Sequence, residues 1–153
     1  MAKNLAYWLI IPYNSHMRHL GVDYGSKRIG LALSDEEGTM GFPHSIIPNS
    51  PRAVEHICAI MAKEDVRALV IGDSVDYHGK ANPSAIGAKE LGREVSSRCG
   101  VPVFYEWEGL TSVEARRAPE KEMKSRAAKP RVNVDASAAA LILTSYLSRS
   151  NKA

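Results

Sequence analysis

The chain has 153 residues, of which 44% are hydrophobic and 24% are charged, as is usual for a globular protein. One domain is expected at this length, and the formal net charge of +3 is too small to identify a nucleic-acid-binding protein by itself. Cys58 and Cys99 belong to no CxxC motif or Cys/His cluster. We therefore expect neither a zinc site nor a disulfide framework, and a reducing cytoplasmic compartment fits best.

Residues 1–16 precede the first predicted strand and include an apolar segment at 5–11. This segment is short for a signal peptide and lacks a small-x-small cleavage site. It is also too short to span a bilayer, which takes about 20 apolar residues. We expect residues 1–16 to be an extension, disordered or not native to the protein, with natural translation starting at Met17. Residues 17–153 then form the domain.

The first two predicted strands, residues 19–24 and 28–34, form a hairpin. Leu20 and Val22 alternate with polar neighbours, which is typical of a half-buried strand. Gly25 begins the turn between the strands, and we expect it there because glycine adopts positive φ at no steric cost.

This hairpin places the carboxylate of Asp23 at the end of a strand, with Lys27 and Arg28 nearby. A turn without bulky side chains lets a phosphate approach, but a carboxylate would repel it. A metal ion between the two groups removes that conflict. The hairpin therefore suggests phosphate and Mg²⁺.

Seven further elements are predicted after the hairpin. They are a strand at 42–48, a helix at 51–64, a strand at 68–72, a helix at 83–98 capped by Asn82, a strand at 101–105, a helix opening at Thr111 and a last helix at 134–147, capped by Asn133. The prolines of the third strand suit a sheet edge. Three consecutive strands followed by strand–helix alternation predict an α/β protein with a five-stranded mixed sheet and helices on both faces.

Three carboxylates lie at the ends of predicted elements. Asp23 closes the first strand, Glu108 follows the fifth strand and Asp135 lies in the first turn of the last helix. Ligands bind at the carboxyl ends of strands in open α/β sheets, and oxygen-only ligands suit a hard divalent cation. Each carboxylate also has a plainer interpretation. Asp135 can stabilise a helix dipole, and Glu108 can be solvated in a loop.

Three motifs carry a family resemblance. They are Gly21-x-Asp23-x-Gly25-x-x-Arg28-x-Gly30, then Glu108-x-Leu110-Thr111-Ser112, and finally Val134-Asp135-x-x-Ala138-Ala139 with Ser145-Tyr146-Leu147. In this order they resemble the YqgF (RuvX) family, bacterial RNase H-like proteins described as pre-16S rRNA nucleases and formerly as Holliday junction resolvases. The match runs from about Met17 to Leu147, nearly the whole chain.

The resemblance implies an RNase H-like fold, a nuclease that uses Mg²⁺ or Mn²⁺, and maturation of the 5′ end of precursor 16S rRNA in the cytoplasm. Carried over by motif, Asp23, Glu108 and Asp135 would be both catalytic and metal-binding. Arg28 would be a substrate or structural residue.

Two positions depart from the family pattern. Many members have arginine where this chain has Gly109, so a phosphate contact there is missing or comes from elsewhere. The family commonly has Gly-Leu-Pro after the fourth strand, whereas Asp73 follows Gly72 here. Asp73 is a candidate additional metal ligand or simply the start of a polar loop.

Further candidate substrate contacts are basic or aromatic. Lys27 is one, and Arg126 and Arg131 lie in a basic segment, residues 116–131, which can contact a phosphate backbone or be a solvated loop. Trp107 flanks the predicted site, where it can stack on unpaired bases or pack at the rim.

The expected partner is nucleic acid, either precursor rRNA or branched DNA, with ribosomal particles as a further candidate and no membrane. A DNA-junction resolvase would need a homodimer for two symmetric cuts, whereas an RNA nuclease can be a monomer. A non-catalytic RNA- or ribosome-binding factor is the alternative from another class, since Gly109 can signal weakened catalysis. An ATP-binding protein is disfavoured, because the chain lacks a second lobe to enclose a nucleotide.

Overall fold

The computed structural model describes residues 17–73, 82–107 and 132–152, which hold five strands and three helices. The elements are β1 (Arg18–Tyr24), β2 (Arg28–Ser34), β3 (Gly41–Pro48), α1 (Ala53–Lys63), β4 (Val66–Asp73), α2 (Pro83–Cys99), β5 (Val103–Trp107) and α3 (Val132–Ser150). In this part of the chain no helix is both long and apolar enough to cross a membrane. The predicted extension and the helix opening at Thr111 lie outside the described residues.

The five strands form one mixed sheet in the order β3-β2-β1-β4-β5. β1 pairs antiparallel with β2, which pairs antiparallel with β3, whereas β4 lies parallel to both β1 and β5. The predicted sheet is confirmed, including β3 at an edge. Asn82 caps α2 as predicted, because its side chain accepts a hydrogen bond of 2.8 Å from the N–H of Ala85. The cap predicted at Asn133 is wrong, because α3 already begins at Val132.

Helices cover both faces of the sheet, as predicted. On one face, α1 and α2 pack over large residues of the strands, among them Leu20, Ile29 and Ile71. On the other face, α3 packs over small residues: a Cβ on Gly21 or Gly41 would lie 2.8 or 2.9 Å from the Cβ of Leu143. Small residues on this face therefore let α3 lie unusually close to the sheet.

In the turn between β1 and β2, the backbone of Gly25 lies close to the backbone of Arg28. Gly25 does not have a positive φ, so the prediction that this turn needs glycine for a positive φ is wrong. A Cβ on Gly25 would lie 2.6 Å from the carbonyl oxygen of Arg28, and this leaves room only for glycine. Asn49 also holds the turn, since its side-chain amide donates to the Gly25 carbonyl (2.8 Å) and its N–H donates to the Lys27 carbonyl (2.9 Å).

Cys58 of α1 and Cys99 of α2 form a disulfide, with their Cα atoms 6.1 Å apart. The expectation that these cysteines would not pair is wrong. The two helices lie side by side on one face of the sheet, which brings together residues 41 positions apart in sequence. Sequence spacing shows no such proximity, because it is created by tertiary packing.

Reduction of this disulfide is expected to lower the free energy of unfolding by about 2 to 4 kcal/mol, because the cross-link limits the freedom of the unfolded chain. Denaturant unfolding followed with and without reductant measures the difference. A Cys58→Ser, Cys99→Ser variant serves as the control, since its unfolding should not respond to reductant. Equal stability of the oxidised and reduced protein would contradict the prediction.

Candidate active site

Gly30 brings Asp23 and Asp135 together. Asp23 of β1 is paired with Gly30 of β2 in the sheet. Asp135, in the first turn of α3, lies directly over Gly30, where a Cβ would be 2.1 Å from the Asp135 carbonyl oxygen. Any side chain at this position would collide with the helix backbone. Two aspartates that are far apart in sequence therefore both lie next to Gly30, on the α3 face of the sheet.

Arg28 joins this pair from β2. Its Nε lies 3.4 Å from Oδ2 of Asp135, and the arginine side chain is 51% exposed. Arg28 and Gly30 are two residues apart in one strand, so both face α3. An ion pair this exposed contributes little to stability, and the guanidinium remains accessible to an incoming anion. Lys27, the neighbouring candidate for substrate contact, is exposed in the turn.

The remaining predicted site residues are Glu108, Arg126 and Arg131, and they lie outside the described residues. Within residues 17–73, 82–107 and 132–152, no group of three or more His, Cys, Asp or Glu side chains is placed to hold a metal ion. The described pair still suits a hard divalent cation in its chemistry. Asp23 and Asp135 offer carboxylate oxygens only, and the side chain of Asp135 is 30% exposed.

Asp73 does not join the pair, because it lies on the other face of the sheet. In the β1–β4 ladder Val22 is paired with Ile71, and both belong to the core beneath α1 and α2. Asp73 is two residues after Ile71 and so shares its face, whereas Asp23 follows Val22 and faces α3. The sheet therefore separates Asp73 from Asp23.

Glu106 is a buried carboxylate that the sequence did not single out. It is 5% exposed, accepts a hydrogen bond of 3.2 Å from the Ser145 hydroxyl and is paired with Arg149. These contacts fasten the end of edge strand β5 to α3. The alternation of β5 could have indicated an inward side chain, but only the tertiary fold supplies Ser145 and Arg149.

The opposite face of β5 carries Tyr105 and Trp107. The Tyr105 hydroxyl lies over α2, where a Cβ on Gly92 would be 2.6 Å from it. Burial raises the pKa of Tyr105, the nearby Arg93 opposes that rise and the charge of Asp73 adds to it. Trp107, at the end of the strand, is 50% exposed.

Solved structures with the same architecture show that the chain has an RNase H-like fold. Thermus thermophilus RuvC in complex with a Holliday junction substrate is 18% identical, with a TM-score of 0.57 over 90% of this chain and 98% of that chain. A second T. thermophilus RuvC structure is 17% identical, with a TM-score of 0.56 over 88% of this chain and 97% of that chain. At these identities the likeness establishes the fold, and it confirms the predicted fold class.

The sequence model of the family described as "RuvX: Holliday junction resolvase" matches residues 17–149, so the chain belongs to the RuvX family. Proteins named "Putative pre-16S rRNA nuclease" are similar along nearly their whole length. The one from Oenococcus oeni is 34% identical over 140 residues, 89% of this chain and 97% of that one. The one from Chloroflexus aggregans is 33% identical over 130 residues, 84% of this chain and 91% of that one. These matches confirm the predicted family and its class, hydrolases of phosphodiester bonds.

Proposed function

We propose that the protein is a divalent-metal-dependent nuclease that matures the 5′ end of precursor 16S rRNA. The observation that carries the proposal is the contact at Gly30, which unites Asp23 and Asp135 beside Arg28. The names of the relatives, "Putative pre-16S rRNA nuclease", support this choice of substrate.

The roles of the residues follow from their positions. Asp23 and Asp135 would hold Mg²⁺ or Mn²⁺, and Glu108, two residues after Glu106 in sequence, would complete the set. When bound, the cation would supply Lewis-acid stabilisation of charge on the phosphate. Arg28, half exposed beside Asp135, would orient the scissile phosphate through its planar donors.

Other basic side chains would hold the substrate along its backbone. We assign this role to Lys27 in the exposed turn, and to Arg126 and Arg131 of the basic segment. Each phosphate contact of this kind adds affinity that falls as salt rises. We further propose that the protein works in the cytoplasm on precursor rRNA, free or within ribosomal particles. There the Cys58–Cys99 pair would be reduced.

Resolution of four-way DNA junctions is the second candidate function, favoured by the printed description of the matching family. The deciding experiment compares Mg²⁺-dependent cleavage of a 5′-extended 16S rRNA precursor with that of a four-way DNA junction. We expect cleavage of the RNA, and no cleavage when the metal is chelated. Cleavage of the junction alone would overturn the proposal. Tight RNA binding without cleavage of either substrate would instead indicate a non-catalytic factor.

A further inference from the structure

An aromatic side chain and a carboxylate lie side by side at one end of the sheet. Trp107 and Asp73 are paired residues of the parallel strands β5 and β4, so their backbones are about 4.8 Å apart. Both lie on the face that α2 covers, at the carboxyl ends of their strands. Trp107 is 50% exposed and Tyr105, two residues earlier, is 38% exposed.

The exposure of Trp107 has no explanation in the packing of the described core. Tyr105 packs against α2 at Gly92, but Trp107 lies one step further along the edge strand and outside the core cluster. A large half-exposed aromatic ring beside a charged group, here the carboxylate of Asp73 on the neighbouring strand, is typical of surfaces that bind nucleobases. A base stacks on the ring with its apolar face and forms hydrogen bonds at its edge.

We propose that Trp107 and Asp73 form a subsite for one unpaired guanine of the substrate RNA; this rests on the nuclease function proposed above. Trp107 provides the stacking surface and the carboxylate of Asp73 accepts hydrogen bonds from the edge of the base. Guanine is the base with two adjacent donors on its Watson–Crick edge, the N1–H and the N2 amino group. Adenine, cytosine and uracil each place an acceptor next to their donor, which a carboxylate would repel.

The position of this subsite also favours an unpaired base. A base that is stacked on Trp107 and bonded through its Watson–Crick edge cannot be paired with another strand. β5 lies two strands from β1, roughly 10 Å away in the sheet, and Asp23 is on the opposite face. An RNA strand that reaches both must pass over the carboxyl end of the sheet, so the guanine lies in a single-stranded stretch near the cut.

Trp107 can report directly on this contact. The chain has two tryptophans, so in a Trp8→Phe background all tryptophan fluorescence comes from Trp107. We titrate this protein, with metal chelated to prevent cleavage, with short single-stranded RNAs that differ only in one G, A or U. We expect quenching by all three, because stacking tolerates any base, and roughly tenfold tighter binding of the RNA that contains guanine, because only guanine meets the carboxylate with two donors.

Variants separate the two contacts. Asp73→Asn should keep the quenching but bind the G and A oligonucleotides equally, because it replaces one acceptor with a donor. Trp107→Ala lacks the reporting tryptophan, so its binding is followed by fluorescence anisotropy of labelled RNA, and it should be weakened roughly tenfold for every RNA. Phe42→Ala removes an aromatic side chain that is 51% exposed on the opposite edge strand, so it is the matched control and should change nothing.

The outcomes also separate this subsite from the nuclease proposal. Wild-type binding and cleavage by Trp107→Ala, or equal affinity of the parent for G and A, would overturn the subsite and leave the nuclease function standing. Guanine-selective binding by a protein that cleaves no RNA would support the subsite and overturn the nuclease function. If Asp73→Asn abolished Mg²⁺-dependent cleavage with RNA binding unchanged, Asp73 would be a metal ligand and the subsite would be wrong.

Discussion

Replacement of both Asp23 and Asp135 by asparagine is expected to reduce RNA cleavage by about a thousandfold or more, with the fold intact. Each substitution keeps the size of the side chain and removes a negative charge that a divalent cation needs. Loss of the cation's electrostatic stabilisation would raise the barrier by several kcal/mol. Cleavage of 5′-extended rRNA at saturating Mg²⁺ measures the effect, and circular dichroism checks the fold.

Asp65→Asn is the matched control for charge removal. Asp65 is 81% exposed in its side chain and is paired only with Arg67 among the described ion pairs. Its substitution should leave cleavage unchanged. A double variant of Asp23 and Asp135 that cut the precursor at the wild-type rate would rule out the metal site proposed for this pair.

Gly30→Ala is expected to lower stability by about 3 kcal/mol and to abolish most cleavage as well. The new methyl group would lie 2.1 Å from the Asp135 carbonyl oxygen and 2.4 Å from its carbonyl carbon. These atoms belong to a helix backbone that cannot turn aside, so α3 or β2 must shift, and overpacking of this kind is costly. The shift would move Asp135 away from Asp23. Denaturant unfolding and the cleavage assay give the two readouts.

Gly92→Ala is the control for the added methyl group. Its Cβ would also be close to neighbours, at 2.6 Å from the Tyr105 hydroxyl, 3.1 Å from the Ile71 Cδ1 and 3.2 Å from the Val103 Cγ1. All three are ends of side chains, which can move, and alanine is the better helix former. We expect near wild-type stability. If both alanine variants lost stability equally, backbone contact at Gly30 would not be the cause.

Much of the fold could be predicted because its signals are local. Alternation in β1 and the Asn82 cap of α2 are each properties of a few consecutive residues. The order of strands and helices then limits the topology to a mixed sheet. The family motifs added the expectation of an RNase H-like fold. They also mark Asp23 and Asp135 as members of one site before any geometry is known.

The features that could not be predicted depend on register and packing. Asp73 and Asp23 both lie at the ends of strands, and only the pairing of Val22 with Ile71 shows that they lie on opposite faces.

The Cys58–Cys99 disulfide needs α1 and α2 to be neighbours. In the sequence alone, Glu106 resembles a surface glutamate. Its burial and its ion pair with Arg149 exist only in the folded structure. Non-local contacts of this kind leave no trace in sequence spacing.

The close packing of α3 on the sheet couples the position of Asp135 to residues elsewhere under the helix. A Cβ on Gly41 or Gly21 would meet Leu143, about two turns beyond Asp135 in α3, whereas a Cβ on Gly30 would meet Asp135 itself. Extra bulk at Gly41 would push this part of α3 away from the sheet and so tilt the helix. Asp135 would then move relative to Asp23, although the nearest neighbours of a Cβ on Gly41 are Leu143 and Ala140. The relative position of Asp23 and Asp135 therefore depends on the thickness of the packing layer under α3, so the geometry of the metal site proposed for this pair depends on the core of the domain.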